Sequence, residues 1–188
     1  MEIPDPATST MLPDDPWRSP DPALQPLLDA SLERFVLDPE GYHGPTHWQR
    51  VYLNASLICE AEGTDPLVAR CFAFLHDACR EDEGRDSGHG ARAAHFAVEL
   101  RERGGVLPLD ELGFERVVQA CRHHSGRLVT LDPEVMACWD ADRLDLLRVG
   151  YIPDPARMHT AFAQRPETIR AACDRAEAWV RGGTWPDR

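Results

Sequence analysis

Histidine and aspartate recur along this chain in an order that could hold a metal ion. His76-Asp77 follows Phe74-Leu75 at the end of a strongly apolar stretch. A charged pair there is costly to bury unless a metal or a hydrogen-bonded partner compensates it. His47 opens the preceding segment, with Arg50 and Val51 one turn on. Further along come His89, the doublet His123-His124 and the acidic string Asp140-Ala141-Asp142-Arg143-Leu144-Asp145. Imidazole and carboxylate together suit divalent first-row metals, and open positions on such a metal can activate water. Each element also has a plain structural reading: His47 as a capping residue, His76-Asp77 as a helix C-terminal cap, the acidic string as a solvated helix face. Asp142 falls one turn after Trp139 and one turn before Leu146, so it shares their apolar stripe. Asp140 and Arg143 point elsewhere on that helix.

The elements that must position these residues read as helices. Leu24, Leu27, Leu28, Leu32 and Phe35 recur at helical spacing and predict a helix over 23–37. Residues 38–45 form a loop with two glycines and two prolines, after which Thr46 reads as the N-cap of a helix reaching Glu62. A helix over 65–79, with Pro66 in its first turn, is apolar on most faces and belongs at the centre of a bundle. Residues 80–88 are too charged for a core and read as a loop. Further helices are expected over 89–103, 110–124, 133–149 and 166–181, with a short one between 155 and 162. No strand alternation, internal repeat or heptad pattern is present. The expectation is an all-α, irregular helical bundle: a proline- and aspartate-rich arm over 1–22, poorly ordered and pinned by Trp17, followed by one domain over 23–188.

Composition narrows the function classes. The 188 residues suffice for one sizeable core. The formal net charge of -12 argues against a nucleic-acid duplex as partner, because that needs a basic surface stripe. A small anionic substrate fits, since a metal and a few arginines make one pocket locally positive. All 20 basic residues are arginine, which excludes lysine-nucleophile and Schiff-base chemistry. The six cysteines form no C-x-x-C pair and fall among apolar neighbours, as buried free thiols do. No apolar run approaches the ~20 residues a bilayer span requires. The acidic, proline-rich opening lacks the pattern of a signal peptide, so a cytoplasmic location is expected.

Taken with their local wording (HWQRV at 47–51, FLHDACRED at 74–82, DADRLD at 140–145), these motifs resemble the metal signature of the HD-domain phosphohydrolase superfamily. The resemblance spans roughly residues 35–150 and agrees with the all-helical pattern. It implies a metal held by His47, His76, Asp77 and Asp142, with hydrolysis of a phosphate ester as the usual activity. The ion expected is a divalent transition metal (Mn, Fe, Co, Ni or Zn) or Mg. In two-metal members of the superfamily extra histidines complete a second site, and His89 and His124 resemble them, as ligands of a metal or of the substrate phosphate. His123 faces another direction.

Position within the motifs suggests further roles. Asp82 and Glu81 are candidates for the general acid or base. Arg80 and Arg50 are candidates for clamping a phosphate. Glu83 and Arg85 read as a solvated part of the loop. The Glu-Asp pair of the superfamily's stringent-response hydrolases is displaced by one residue here by Arg80, and the Gly-Tyr-Pro of its cyclic-dinucleotide branch is absent. The expected activity is therefore metal-dependent hydrolysis of a nucleotide or other small phosphomonoester. A di-iron oxygenase and a non-catalytic nucleotide- or metal-binding protein are the alternatives. Oligomeric state is left open.

Overall fold

The computed structural model describes residue 5, residues 15–126 and residues 130–182. Among them there are seven α-helices and no strand, so the chain is all-α as its periodicity predicts. The helices are α1 (Gln25–Arg34), α2 (Pro45–Glu62), α3 (Leu67–Leu75), α4 (His89–Arg103), α5 (Glu111–His123), α6 (Pro133–Arg143) and α7 (Pro166–Gly182). Short 3-10 turns cover Pro22–Leu24, Leu146–Val149 and Pro155–Arg157. None of the helices is long and apolar enough to cross a membrane.

Helix α3 forms the hub, packing against α1, α2, α4, α5 and α6. Its buried Val68, Ala69, Cys71, Phe72, Ala73, Phe74 and Leu75 cover most of its circumference. Apolar side chains on all faces are what such a position demands, and each large one contributes roughly 1.5–3 kcal/mol on burial. Around it pack Trp48, Val51 and Ile58 of α2, Phe96 and Leu100 of α4, Val117 of α5 and Trp139 of α6. Tyr52 stacks on Phe74 with ring centroids 5.5 Å apart.

Helix ends differ from expectation where side chains do not cap as the sequence suggests. Helix α2 begins at Pro45 with Gly44 as N-cap, and the Thr46 hydroxyl is buried without a hydrogen bond. Proline at the first helical position needs no N–H, so the cap shifts two residues earlier, from Thr46 to Gly44. Helix α3 stops at Leu75, and residues 76–79 continue as tight turns (Ala78 N donating to Leu75 O at 3.1 Å, Arg80 N to Asp77 O at 3.1 Å). Helix α6 likewise ends at Arg143, before the separate turn Leu146–Val149. Asp110 and Asp132 cap α5 and α6 with their carboxylates.

Of the expected arm, residues 1–4 and 6–14 lie outside the described residues. Residues 15–21 lie against the body, held through their backbone. Gln49 Nε2 donates to the carbonyls of Pro16 and Arg18, both at 2.9 Å, and Gln25 Nε2 to that of Trp17 at 3.2 Å. Trp17 is 41% exposed, and its carbonyl takes part in the attachment. Five of the six cysteines are free and buried, and Cys173 is free and half-buried. Burial pushes the Cys71 thiol up to about 12, which makes it inert.

Candidate metal centre

Two groups of donors meet where the hub helix ends. His47, on the first turn of α2, and His76, directly after α3, bring their Nε2 atoms 3.0 Å apart. Asp142 on α6 places Oδ1 3.4 Å from His47 Nε2 and 3.7 Å from His76 Nε2. Asp77 Oδ2 lies 3.6 Å from each of the same two nitrogens. The other Asp77 oxygen faces a second group. Oδ1 is 3.5 Å from His89 Nε2 and 3.7 Å from His124 Nε2, and those two nitrogens are 2.8 Å apart. His89 opens α4 and His124 ends α5. These helices approach closely because Gly90 has no side chain: a Cβ there would lie 2.6 Å from Cys121 O.

The tautomers decide whether such groups suit a cation. Nδ1 of His47 faces Asp145 Oδ2 at 2.7 Å, and Nδ1 of His76 faces the carbonyls of Phe72 and Ala73 at 3.2 and 3.1 Å. Nδ1 of His124 faces Cys121 O at 2.8 Å, and Nδ1 of His89 faces Asp86 O. Carbonyls and carboxylates only accept, so each Nδ1 must donate and each Nε2 is left with a lone pair. Four lone pairs therefore converge in two facing pairs beside carboxylate oxygens. They repel unless cations sit between them. Bonds of about 2.0–2.2 Å to a first-row metal set donors about 3–3.5 Å apart, close to the 2.8–3.7 Å found here. Asp142 Oδ1 is moreover buried without a hydrogen-bond partner. The two sets, His47–His76–Asp142 and Asp77–His89–His124, could each hold a metal ion, with Asp77 bridging.

Electrostatics favour the charge states a metal requires at His76, His89, Asp77 and Asp142, though not at His124. Burial pushes His76 down to about 3, and also lowers His89, so both rings stay neutral. Burial alone would raise Asp77, but the facing His76, His124 and His47 outweigh it and hold the carboxyl well below the usual range. Asp142 is likewise lowered: burial is outweighed by its contact with His47 and by His76 and Arg148. At His124 the facing Asp77 carboxylate outweighs burial and raises the ring.

Of the residues that position alone suggested for catalysis and substrate binding, Arg80 reaches the centre. Its Nη1 lies 3.4 Å from both Asp77 Oδ1 and His89 Nε2. Its Nη2 and Nε donate to the carbonyls of Gly84 and Asp82 at 2.8 and 3.3 Å. Arg50 does not reach it. That side chain is buried behind His47, donating Nε and Nη2 to Asp145 at 2.7 and 2.9 Å with its guanidinium over the Trp179 ring, so it braces the support of His47. Glu81 and Asp82 lie on the loop surface. Glu81 is exposed and turns toward Arg92, and Asp82 is exposed and accepts from Gly84 N at 2.6 Å. The loop curls so that both carboxylates leave the centre. Asp140, fully buried, serves the backbone of the following loop, accepting from His159 N and Thr160 N at 2.8 and 2.7 Å.

Three residues at the centre escaped the sequence reading. Arg148, in the turn after α6, is buried and extends Nη2 to 3.8 Å from Asp142 Oδ1 and 3.9 Å from Asp77 Oδ2. It is held by Tyr42 O and Asp145 O at 2.9 and 3.1 Å. His43, in the loop before α2, is buried, and its Nδ1 meets Glu83 Oε2 at 2.6 Å. Burial pushes His43 down to about 3 and raises Glu83. Glu83 is therefore no solvated loop residue. A histidine four positions before His47, and a basic residue one turn past Asp145, were the only signals available, and neither carries a motif.

An all-α bundle with two histidine–carboxylate donor sets around one bridging aspartate defines a class of helical metal-binding proteins. The HD domain model matches residues 46–147, and the chain belongs to the HD-domain family. In three dimensions it is similar to a protein from an uncultured Thermotogales bacterium, described as a predicted HD superfamily hydrolase in its 1.45 Å crystal structure. The two share 30% identity at a TM-score of 0.60, over 85% of this chain and 88% of the other. No curated protein matches the sequence.

Proposed function

We propose that this chain is a metal-dependent phosphohydrolase acting on a nucleotide or other small phosphomonoester. The observation that carries the reading is the convergence of four imidazole Nε2 lone pairs on the two oxygens of Asp77. His47, His76, Asp77 and Asp142 would hold one divalent metal, and His89 and His124 with Asp77 a second. When bound, such metals supply Lewis acidity and make water a nucleophile at neutral pH. Family membership and the likeness to a predicted hydrolase support the same class.

The chain's own groups support an anionic substrate. Arg148 flanks the His47 set and Arg80 the His89 set, so a phosphoryl group seated over Asp77 would meet a guanidinium on either side. Guanidinium groups pair with phosphate oxygens in fixed geometry and stabilise charge that grows as the ester bond breaks. With a net charge of -12 elsewhere, a small phosphate compound fits better than a duplex. The buried free thiols suit a reducing compartment such as the cytoplasm.

The test is a panel of nucleotides and phosphomonoesters, assayed with Mn, Fe, Co, Ni, Zn and Mg after stripping with chelator. Phosphate release that depends on added metal is expected. Absence of release with every metal and every substrate would overturn the reading. The presence of six donors also favours a second reading, a di-iron oxygenase. Two irons per chain together with substrate-dependent oxygen uptake would select it.

A further inference from the structure

We propose that helix α7 braces the metal centre from behind, with Trp179 and Arg175 as positioning residues that hold His47 and Asp142 in place through Arg50 and Asn54. The inference rests on the reading of His47, His76 and Asp142 as ligands of a metal. Both positioning residues lie beyond the stretch that the family model matches, 46–147, so nothing in that match assigns them a role.

Helices α2 and α7 meet as a ladder with two rungs. Arg50 and Asn54 stand one turn apart on α2, and Arg175 and Trp179 one turn apart on α7, so each pair shares a face. Arg50 lies over Trp179, its Cζ 5.0 Å from the ring centroid, and Asn54 Oδ1 accepts from Arg175 Nη2 at 2.7 Å. Position 50 faces 179 and position 54 faces 175, so the two helices run antiparallel there.

Each rung ends on a ligand. Arg50 grips Asp145 through Nε and Nη2 at 2.7 and 2.9 Å, and Asp145 Oδ2 fixes His47 Nδ1 at 2.7 Å. The remaining nitrogen of Arg50, Nη1, is buried with no hydrogen-bond partner among the described residues. What the guanidinium meets instead is the face of the indole, a contact that is strongest where water is excluded. On the other rung, an arginine only donates and a carbonyl only accepts, so Arg175 decides which way the Asn54 amide points. Its Oδ1 turns to α7, and its Nδ2 donates to Ala141 O at 3.0 Å, one residue before Asp142. Groups behind metal ligands set their direction, and ligands on loose supports bind an ion less tightly. Bulk packing requires neither polar contact. Both fall on side chains of α2 that stand behind a ligand.

The experiment uses the full chain, stripped with chelator. Co(II) affinity is measured by calorimetry, beside the thermal midpoint of the metal-free protein. Trp179→Leu fills space without an aromatic face and is expected to weaken Co(II) binding about tenfold. Trp179→Phe keeps such a face and is expected to stay within about threefold of wild type. Arg175→Met is expected to weaken binding about fivefold, and serves where Trp179→Leu folds poorly. The control is Leu28→Ala, a buried side chain of α1, which packs on α3. It is expected to lower the thermal midpoint with Co(II) affinity unchanged. In an Arg50→Met background, Trp179→Leu is expected to remove no further affinity, because the ring acts through that guanidinium. A Trp179→Leu or Arg175→Met protein that binds Co(II) within about twofold of wild type overturns the proposal. So does a Trp179→Phe protein as weak as Trp179→Leu, a Leu28→Ala protein that loses as much affinity, or Trp179→Leu and Arg50→Met losses that add. A wild-type protein that binds no Co(II) is a separate result: it removes the underlying metal reading, and the inference with it.

Discussion

The two halves of the metal centre are built alike in donors and differently in support. His47 is backed by Asp145, itself buried and gripped by Arg50. His89 and His124 are backed by the neutral carbonyls of Asp86 and Cys121. The His47 set includes a carboxylate of its own in Asp142, whereas the His89 set shares Asp77 and has no other. A carboxylate behind an imidazole raises its basicity and fixes its orientation more than a carbonyl does. The elements differ too. The first set hangs on the core helices α2 and α6 and on the turn after α3, while His89 follows the charged loop 80–88. The difference ranks the two halves: the His47 set carries more charge in and behind its donors, and the His89 set leans on the shared Asp77.

The substitution with the largest expected effect destroys the comparison altogether. Asp77→Ala removes the only oxygen donor the second set possesses and one from the first. We expect it to copurify with essentially no metal and to release no phosphate, as read by elemental analysis and a phosphate assay. Two metals per chain retained by that variant would break the bridge argument. The next effect separates the halves. His89→Ala or His124→Ala should drop metal content from two to one per chain, whereas His47→Ala should lose both. If all three variants lose metal equally, the sites are not ranked as described.

That ranking also marks how far the sequence could be read. The helices were legible because α3 is apolar on most faces and α4 and α5 keep one face apolar. The donors His47, His76 and Asp142 come from separate stretches that the packing of α2, α3 and α6 brings together, and each stretch carries a recognisable motif. The surroundings of Glu81, Asp82 and Arg50 were not legible for one reason. Local spacing says which face of a helix a residue occupies, but not how a loop curls or what stands behind a buried ring. Asp145 hid in the same acidic string as Asp142, and only the fold shows it turned toward His47 and Arg50. Arg148 and His43 meet at the centre through backbone held across 106 residues, Arg148 Nε to Tyr42 O, which no local pattern encodes.

Asp145 sharpens the comparison in smaller steps. Burial would raise its carboxyl, but Arg50 and His47 outweigh burial and lower it. A depressed folded value contributes stability that is fully present above the unfolded value of about 3.9 and is lost as pH falls through the folded one. Asp145→Asn leaves Arg50 buried without its charge partner, which costs about 3–5 kcal/mol at neutral pH. The gap in thermal midpoint between variant and wild type should therefore be largest near pH 7 and narrow below about pH 4. Affinity for the first metal should fall about 10–100-fold, with the second lost as a consequence. A gap that is constant from pH 7 to pH 3 would sink the charged-support argument.

The smallest expected effect compares the two arginines. Arg80 uses Nε and Nη2 on loop carbonyls and Nη1 on Asp77, so it tethers the 80–88 loop as much as it faces a ligand. Arg148 is braced through Nε and Nη1, and its Nη2 approaches the carboxylates only at 3.8–3.9 Å. That nitrogen is the one free to take a phosphate oxygen. A hydrogen bond to a charged group is worth about 1.5–3 kcal/mol, or roughly 10–100-fold in affinity. Arg148→Lys keeps the charge but loses the braced geometry, and should raise KM about tenfold with metal content intact. Arg80→Lys should raise KM only about two- to threefold and lower the thermal midpoint instead, by loosening the loop that leads into His89. Steady-state kinetics beside thermal unfolding separates the two, and the reverse order of effects on KM would exchange the roles assigned to the two guanidinium groups.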